Sequence, residues 1–305
     1  MIFKNRNNQL RSGWKIAGVI GTNVAIEFIL MIIFGVVAGI YFAAVNKGIT
    51  PAEVKNQVNY FMTNSPYGLL MINVLGFICV LLAIFIFLKK VDKKNFKDIG
   101  LISMKKAHIE FIKGLLFGIL SISFVFAMLL GTKNIEVINP LKPNFSMYSL
   151  IGLIIYIIVG IKEELLSRGY CITALNQMKK PWLSVIISSC IFSALHLLNP
   201  NVKPLGLINI ILVGILFGFM YIKTGNLWMP IGYHITWNYF QGCVYGLNVS
   251  GFNIQGIFTC NILQDNILTG GAFGPEAGIL TTIVIILGYF LVWKMPKNNK
   301  NPYKL

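Results

Sequence analysis

Leu153-Ile154-Ile155-Tyr156-Ile157-Ile158-Val159-Gly160-Ile161-Lys162-Glu163-Glu164-Leu165-Leu166-Ser167-Arg168-Gly169-Tyr170 runs from an apolar stretch straight into two adjacent carboxylates and an arginine. Ionisable groups beside or within a membrane span are costly unless they are paired or wetted, so their default reading is functional. On a helix, Glu164 and Arg168 are i,i+4 neighbours and can pair. Glu163 is rotated by about 100° and cannot share that arginine equally well. One carboxylate therefore reads as structural, and the other as free to work.

The surrounding chain fits that reading. Of its 305 residues 56% are hydrophobic and only 12% are charged, with a mean hydropathy of +0.72. A soluble domain would carry about 25% charged residues. The expected class is all-α, a polytopic transmembrane helical bundle in the cell membrane, with the lipid bilayer as its solvent. The net charge of +16 does not imply a nucleic-acid partner, because the basic residues form short clusters between apolar runs, as the positive-inside rule requires. Five cysteines, Cys79, Cys171, Cys190, Cys243 and Cys260, include no CxxC. They predict neither a disulfide framework nor a cysteine zinc site.

Apolar length picks out about eight spans, near 16–45, 68–88, 109–131, 149–176, 182–198, 205–223, 229–247 and 277–293. The first is too long for a signal-peptide core and reads as a retained span. Arg6, Lys15, the lysines at 89–106, Lys179, Lys180, Lys223, and Lys294, Lys297, Lys300 and Lys304 fall on one side of alternate spans. Both termini are therefore expected in the cytoplasm. Three regions are expected: residues 1–145 with three spans, a core at 146–247 with four, and 248–305 with an outer loop, the last span and a basic tail. Gly35/Gly39, Gly114/Gly118 and Gly214/Gly218 are small-xxx-small pairs that let helix backbones approach closely. The fairly apolar loop 248–276 is expected on the membrane surface or over a cavity. It contains Asn248-Val249-Ser250, a triplet of the glycosylation type that chance often supplies.

The remaining polar features complete a constellation. Phe192-Ser193-Ala194-Leu195-His196 ends an apolar helix, and His234-Ile235-Thr236-Trp237-Asn238 sets a histidine and an asparagine on one helical face. Alone, each histidine reads as polar glue between helices. His108, beside Lys105 and Lys106, reads as a solvated surface residue. Glu27, with Asn23 one turn before it, reads as structural. Together, a carboxylate, two imidazoles and an amide on three helices are what a water-activating hydrolytic site needs. One group takes a proton from water, and others stabilise the oxyanion formed on a carbonyl.

At these residues the chain resembles the CAAX-protease and bacteriocin-processing (Abi, or CPBP) family of intramembrane proteases. Its pattern is EExxxR, then FxxxH, then HxxxN or HxxxD. Here these are Glu163-Glu164-x-x-x-Arg168, Phe192-x-x-x-His196 and His234-x-x-x-Asn238, in that order. The resemblance covers about residues 148–243. It implies a helical membrane endopeptidase in which Glu163 and His196 activate water, His234 and Asn238 hold the oxyanion, and Glu164 and Arg168 shape the site. It also implies a membrane peptide or protein as substrate, prenylated or otherwise. Thr269-Gly270-Gly271-Ala272-Phe273-Gly274-Pro275-Glu276 looks like a loop of bacterial members, with no chemical role assigned to it.

Two questions stay open at the level of sequence. Glu163, His196 and His234 match a zinc set with an open water position, but HExxH is absent; the cofactor is Zn2+ or none, with metal-free chemistry preferred. The same polar groups also suit a non-enzymatic role, binding a peptide in bacteriocin self-immunity. A secondary transporter is less apt, since no inverted repeat is evident. One tension concerns depth. At about 1.5 Å per residue, Glu163 and His196 fall at similar depth, and His234 is expected much shallower.

Overall fold

The computed structural model describes residues 2–5 and 7–296. Arg6, Lys297, Lys300 and Lys304 lie outside the described residues. The protein is mostly helical. Among the described residues, four helical stretches are long and apolar enough to cross a membrane: Ser12–Val45, Pro66–Asp92, Phe96–Gly131 and Pro204–Thr224. The other expected spans correspond to helices that are shorter or end in charge.

The chain divides after Lys94 into two compact units. The first contains α1 (Ser12–Val45), α2 (Pro51–Asn64) and α3 (Pro66–Phe87), with α3 ending in a π-helical turn, Leu88–Asp92. Phe28, Ile32, Val36 and Ile40 of α1 are exposed, an apolar surface matched to lipid. Lys15 is buried and ion-pairs with Asp92, which offsets the desolvation of both. Asn23 donates to Glu27 across one turn (3.3 Å), the expected same-face pair. The helix α2 lies where only a loop was expected. It starts with a capping box, Thr50 and Glu53 each accepting from the other's backbone N–H, followed by Pro51 in the first turn.

The second unit contains α4 (Met104–Gly131), β1 (Ile135–Val137), α5 (Met147–Glu164), a π-helical turn (Leu165–Cys171), α6 (Ile172–Leu175), α7 (Pro181–Ala194), α8 (Pro204–Thr224), α9 (Trp228–Tyr239), a second π-helical turn (Phe240–Val244), β2 (Cys260–Ile262) and α10 (Ile279–Lys294). The expectation of an all-α chain needs one correction. β1 and β2 pair antiparallel, with Ile135 opposite Ile262 and Val137 opposite Cys260. The ladder ties two loops together, where backbone groups outside helices must find partners.

Two of the three glycine pairs are contact sites. A Cβ on Gly114 would lie 2.1 Å from the Met229 carbonyl oxygen, and one on Gly118 would lie 2.4 Å from that of Tyr233. The backbone of α4 thus rests directly on α9. Likewise a Cβ on Gly218 would meet Val185 Cγ1 at 2.6 Å, and one on Gly214 would meet Ser189 Cβ at 2.9 Å, so α8 closes on α7. Gly35 has open space and Gly39 only Val54 at 3.9 Å; that pair marks no close crossing.

Gly118→Val is expected to push α4 off α9 and destabilise the protein by about 1–3 kcal/mol. Thermal unfolding in detergent should show a lowered midpoint for Gly118→Val and an unchanged one for Gly35→Val.

Candidate active site

Glu163 and Glu164 end α5, and Arg168 sits in the π-helical turn that follows. Wide turns of this kind release carbonyls from the regular ladder and are frequent at functional sites. Here the Ser188 hydroxyl donates to the Ser167 carbonyl (2.6 Å), pinning the turn to α7. His196 lies on the turn just beyond α7, and His234 and Asn238 lie within α9.

Glu164 and Arg168 are wholly buried, and Arg168 Nη1 donates to Glu164 Oε1 at 2.9 Å. The same carboxylate oxygen faces His234 Nδ1 at 3.0 Å. Glu164, paired with an arginine, can only accept, so His234 Nδ1 carries the hydrogen. His196 Nδ1 lies 2.8 Å from the Phe192 carbonyl. A carbonyl cannot donate, so that ring nitrogen also carries a hydrogen. Both imidazoles are thereby oriented with Nε2 toward one point. Glu163 Oε2 lies 3.9 Å from His196 Nε2 and 3.7 Å from His234 Nε2. These separations exceed a direct hydrogen bond and suit a bridging water. The Glu163 side chain is 25% exposed, against 14% for His196 and 9% for His234, so the acid is the wettest of the three.

The expected mismatch in depth between His234 and the other two is absent. Asn226, Leu227 and Met229 are all buried, the Leu227 N–H donates to the Gly100 carbonyl, and the helix starts inside the protein. Glu163 Oε2 lies 3.9 and 3.7 Å from the Nε2 atoms of His196 and His234, so the three side chains meet at one level.

Phe192 is the packing centre. Its ring meets that of His196 edge-on at 4.8 Å and that of His234 at 6.3 Å. The Arg168 guanidinium carbon sits 4.2 Å from its centroid, a cation–π contact that partly compensates a buried charge. Phe217 of α8 adds a second ring, 5.2 Å from the same carbon and 5.6 Å from the His234 ring. Sequence reasoning missed Phe217 and Ser188, since an aromatic or a serine in an apolar helix carries no local signal. Arg168 Nε and Nη2 and Glu164 Oε2 are buried without a hydrogen-bond partner. The pair is held by its mutual ion contact, by the His234 bond to Glu164 and by the rings.

Asn238 is buried one helical turn after His234 and is not in hydrogen-bond contact with Glu163, His196 or His234. His108 is exposed, its Nδ1 near the Lys105 carbonyl (3.1 Å), as expected of a surface residue. The loop 248–276 folds over the ends of α7 and α9. In it Asn248 Nδ2 donates to the Ala272 carbonyl, and the Ser250 hydroxyl donates to Glu276, so both polar side chains of the glycosylation-type triplet are engaged. Burial pushes the Glu276 carboxyl above its usual range, against the Ser250 hydrogen bonds and the two histidines, which pull it down.

A zinc set demands three side chains within ligating range of one ion. Ligands about 2.0–2.1 Å from a tetrahedral zinc lie closer together than the 3.7 and 3.9 Å found here. Among the described residues no group of three His, Cys, Asp or Glu side chains meets that geometry. The residues as placed do not fit the metal.

These elements make the chain a helical membrane protein with a polar cluster buried between α5, α7 and α9. Residues 144–240 match the family model described as Type II CAAX prenyl endopeptidase Rce1-like. The match covers the segment that carries the three motifs, and it agrees with the resemblance they show. No curated protein matches the chain.

Removing one partner of a buried ion pair strands the other and costs about 3–5 kcal/mol. Arg168→Ala is expected to lower the unfolding midpoint in detergent sharply. Glu163→Ala, at a partly exposed carboxylate, should leave it nearly unchanged.

Proposed function

We propose that the protein is an intramembrane endopeptidase that hydrolyses a peptide bond in a membrane-held peptide or protein, prenylated or otherwise. The observation that carries this reading is the approach of Glu163 Oε2 to both imidazole Nε2 atoms. A water at that point donates one hydrogen to Glu163 and the other to His196 Nε2. As its oxygen attacks the carbonyl carbon, one of these groups takes the proton and later returns it to the leaving amine. The water oxygen ends in the new carboxylate, and the peptide nitrogen leaves as an amine.

His234 and Asn238 are assigned to the carbonyl oxygen. Asn238 offers its amide N–H. With Nδ1–H held by Glu164, His234 can offer an Nε2–H only when doubly protonated, and Glu163 and Glu164 are the counter-charges of that form. A fixed donor aimed at the developing oxyanion is worth roughly 10²–10³ in rate. Glu164 and Arg168 bear no part of the reaction; they hold His234 and the turn that carries them.

Supporting topology is proposed with it: eight crossings of the cell membrane, with both termini cytoplasmic. A cysteine replacing Lys94, tested in a background lacking the native cysteines, should react with an impermeant thiol reagent only from the cytoplasmic face. One replacing Asn144 should react only from outside.

The enzymatic reading separates from a peptide-binding or immunity role by one change. Glu163→Gln should lower the cleavage rate of a membrane peptide about 10²–10⁴-fold, the usual contribution of a general base, with substrate capture retained. Cleavage at the parental rate would show that Glu163 is not the base; protection against a peptide toxin that survives the loss of cleavage would show that the protein acts by binding.

A further inference from the structure

The loop from Asn248 to Gly278 grips the two elements that carry His196 and Asn238, and on the His196 side it does so through Glu276. Glu276 Oε2 accepts both the backbone N–H and the hydroxyl of Ser250, each at 2.6 Å. The Ser250 carbonyl in turn accepts from Asn199 Nδ2 at 3.1 Å. The Asn199 N–H closes the turn by donating to the His196 carbonyl (3.1 Å). An unbroken hydrogen-bonded path therefore leads from Glu276 to the backbone of His196. His196 lies two residues past the end of α7, its N–H bonded to the Ser193 carbonyl (3.0 Å) and its own carbonyl held by this turn.

The clamp has its own conformational demand. Ser250 has φ of +48°, a left-handed conformation that a residue with a Cβ rarely adopts. The two bonds from Glu276 hold it there, and Gly251, at φ +88°, continues the turn and donates to the Phe273 carbonyl (2.8 Å). The Glu276 backbone is fixed as well, its carbonyl accepting from Asn209 Nδ2 of α8 (2.8 Å). Phe273, fully buried, shares one apolar cluster with Phe192, whose ring abuts His196. On the far side, Gln241 Nε2 donates to the Asn248 carbonyl from a position three residues beyond Asn238.

We infer that Glu276 is a positioning residue: through Ser250 and Asn199 it fixes the turn that aims His196 at the water shared with Glu163. This inference rests on the hydrolytic reading above and gives the loop sequence ending at Glu276 a role. The carboxylate acts here as a double acceptor, so glutamine, whose amide oxygen can accept the same two bonds, should replace it.

The test uses the full-length protein in detergent micelles or vesicles. Hydrogen–deuterium exchange of the backbone at 194–201 is measured in the parental protein, Glu276→Ala and Glu276→Gln, together with kcat and KM on a peptide that the parental protein cleaves. Glu276→Ala should speed exchange in that turn and lower kcat about a hundredfold, as a misplacement near 1 Å does, with KM within about twofold. Glu276→Gln should restore both. Parental exchange and kcat in the alanine variant would overturn the inference, as would a glutamine variant no better than alanine. Ser250→Ala, which removes one of the two bonds to Glu276, should give an intermediate kcat; the same value as parent would also count against it. If the parental protein cleaves nothing, the hydrolytic reading fails, and the exchange data still decide whether Glu276 orders the turn.

Discussion

A single carboxylate oxygen, Glu164 Oε1, receives both Arg168 and His234, and the rest of the site depends on that shared acceptance. Inside a membrane protein each of these groups alone would carry a large desolvation penalty. Joined, they form a buried network that spans α5, the π-helical turn and α9. Its geometric product is an imidazole of fixed tautomer. Its electrostatic product is a difference between the two acids: among the described residues Arg168 ion-pairs with Glu164, and Glu163 faces the two imidazoles. Adjacent glutamates of identical chemistry thus become a structural anchor and a partly wetted acid, by about 100° of helical rotation.

That anchor works only if the helices come close, and small residues permit it. Gly114 and Gly118 let α4 lie on the α9 backbone, while Gly214 and Gly218 let α8 approach α7. The second crossing also makes room for Arg168, whose Nη2 would lie 3.2 Å from a Cβ placed on Gly214. Phe192 and Phe217 then fill the space between the charged groups and the histidines. In lipid there is no hydrophobic force to press helices together, so close packing and internal polar contacts must supply the association. The site's polar network and the fold's cohesion draw on the same helices.

What could be read from residues alone follows from which interactions are local. The pairing of Glu164 with Arg168 is an i,i+4 relation, and the apolar runs report their own lengths, so both were legible. The three motifs were legible as a family resemblance, which the matching family model bears out. The partner that Glu164 shares, His234, is 70 positions away, and no periodicity encodes such a choice. The depth of His234 was misread because its place near the start of an apolar run does not report that folding brings it beside Glu163. The helix α2 escaped a search for apolar runs because it is amphipathic, although Thr50-Pro51-Ala52-Glu53 carried its start signal. The three-residue strands β1 and β2 are too short to show alternation. The loop's meaning was hidden for a related reason: Glu276 reaches His196 only through Ser250 and Asn199, contacts made by folding.

The central claim is that one water sits between an acid and two imidazoles. An experimental structure of the protein in a lipid environment, at a resolution that shows ordered solvent, tests it most directly. The account predicts water density within hydrogen-bond distance of Glu163 Oε2 and His196 Nε2, with His234 Nε2 facing the same point. Side chains turned to separate surfaces, or a protein group filling the space between them, would contradict it.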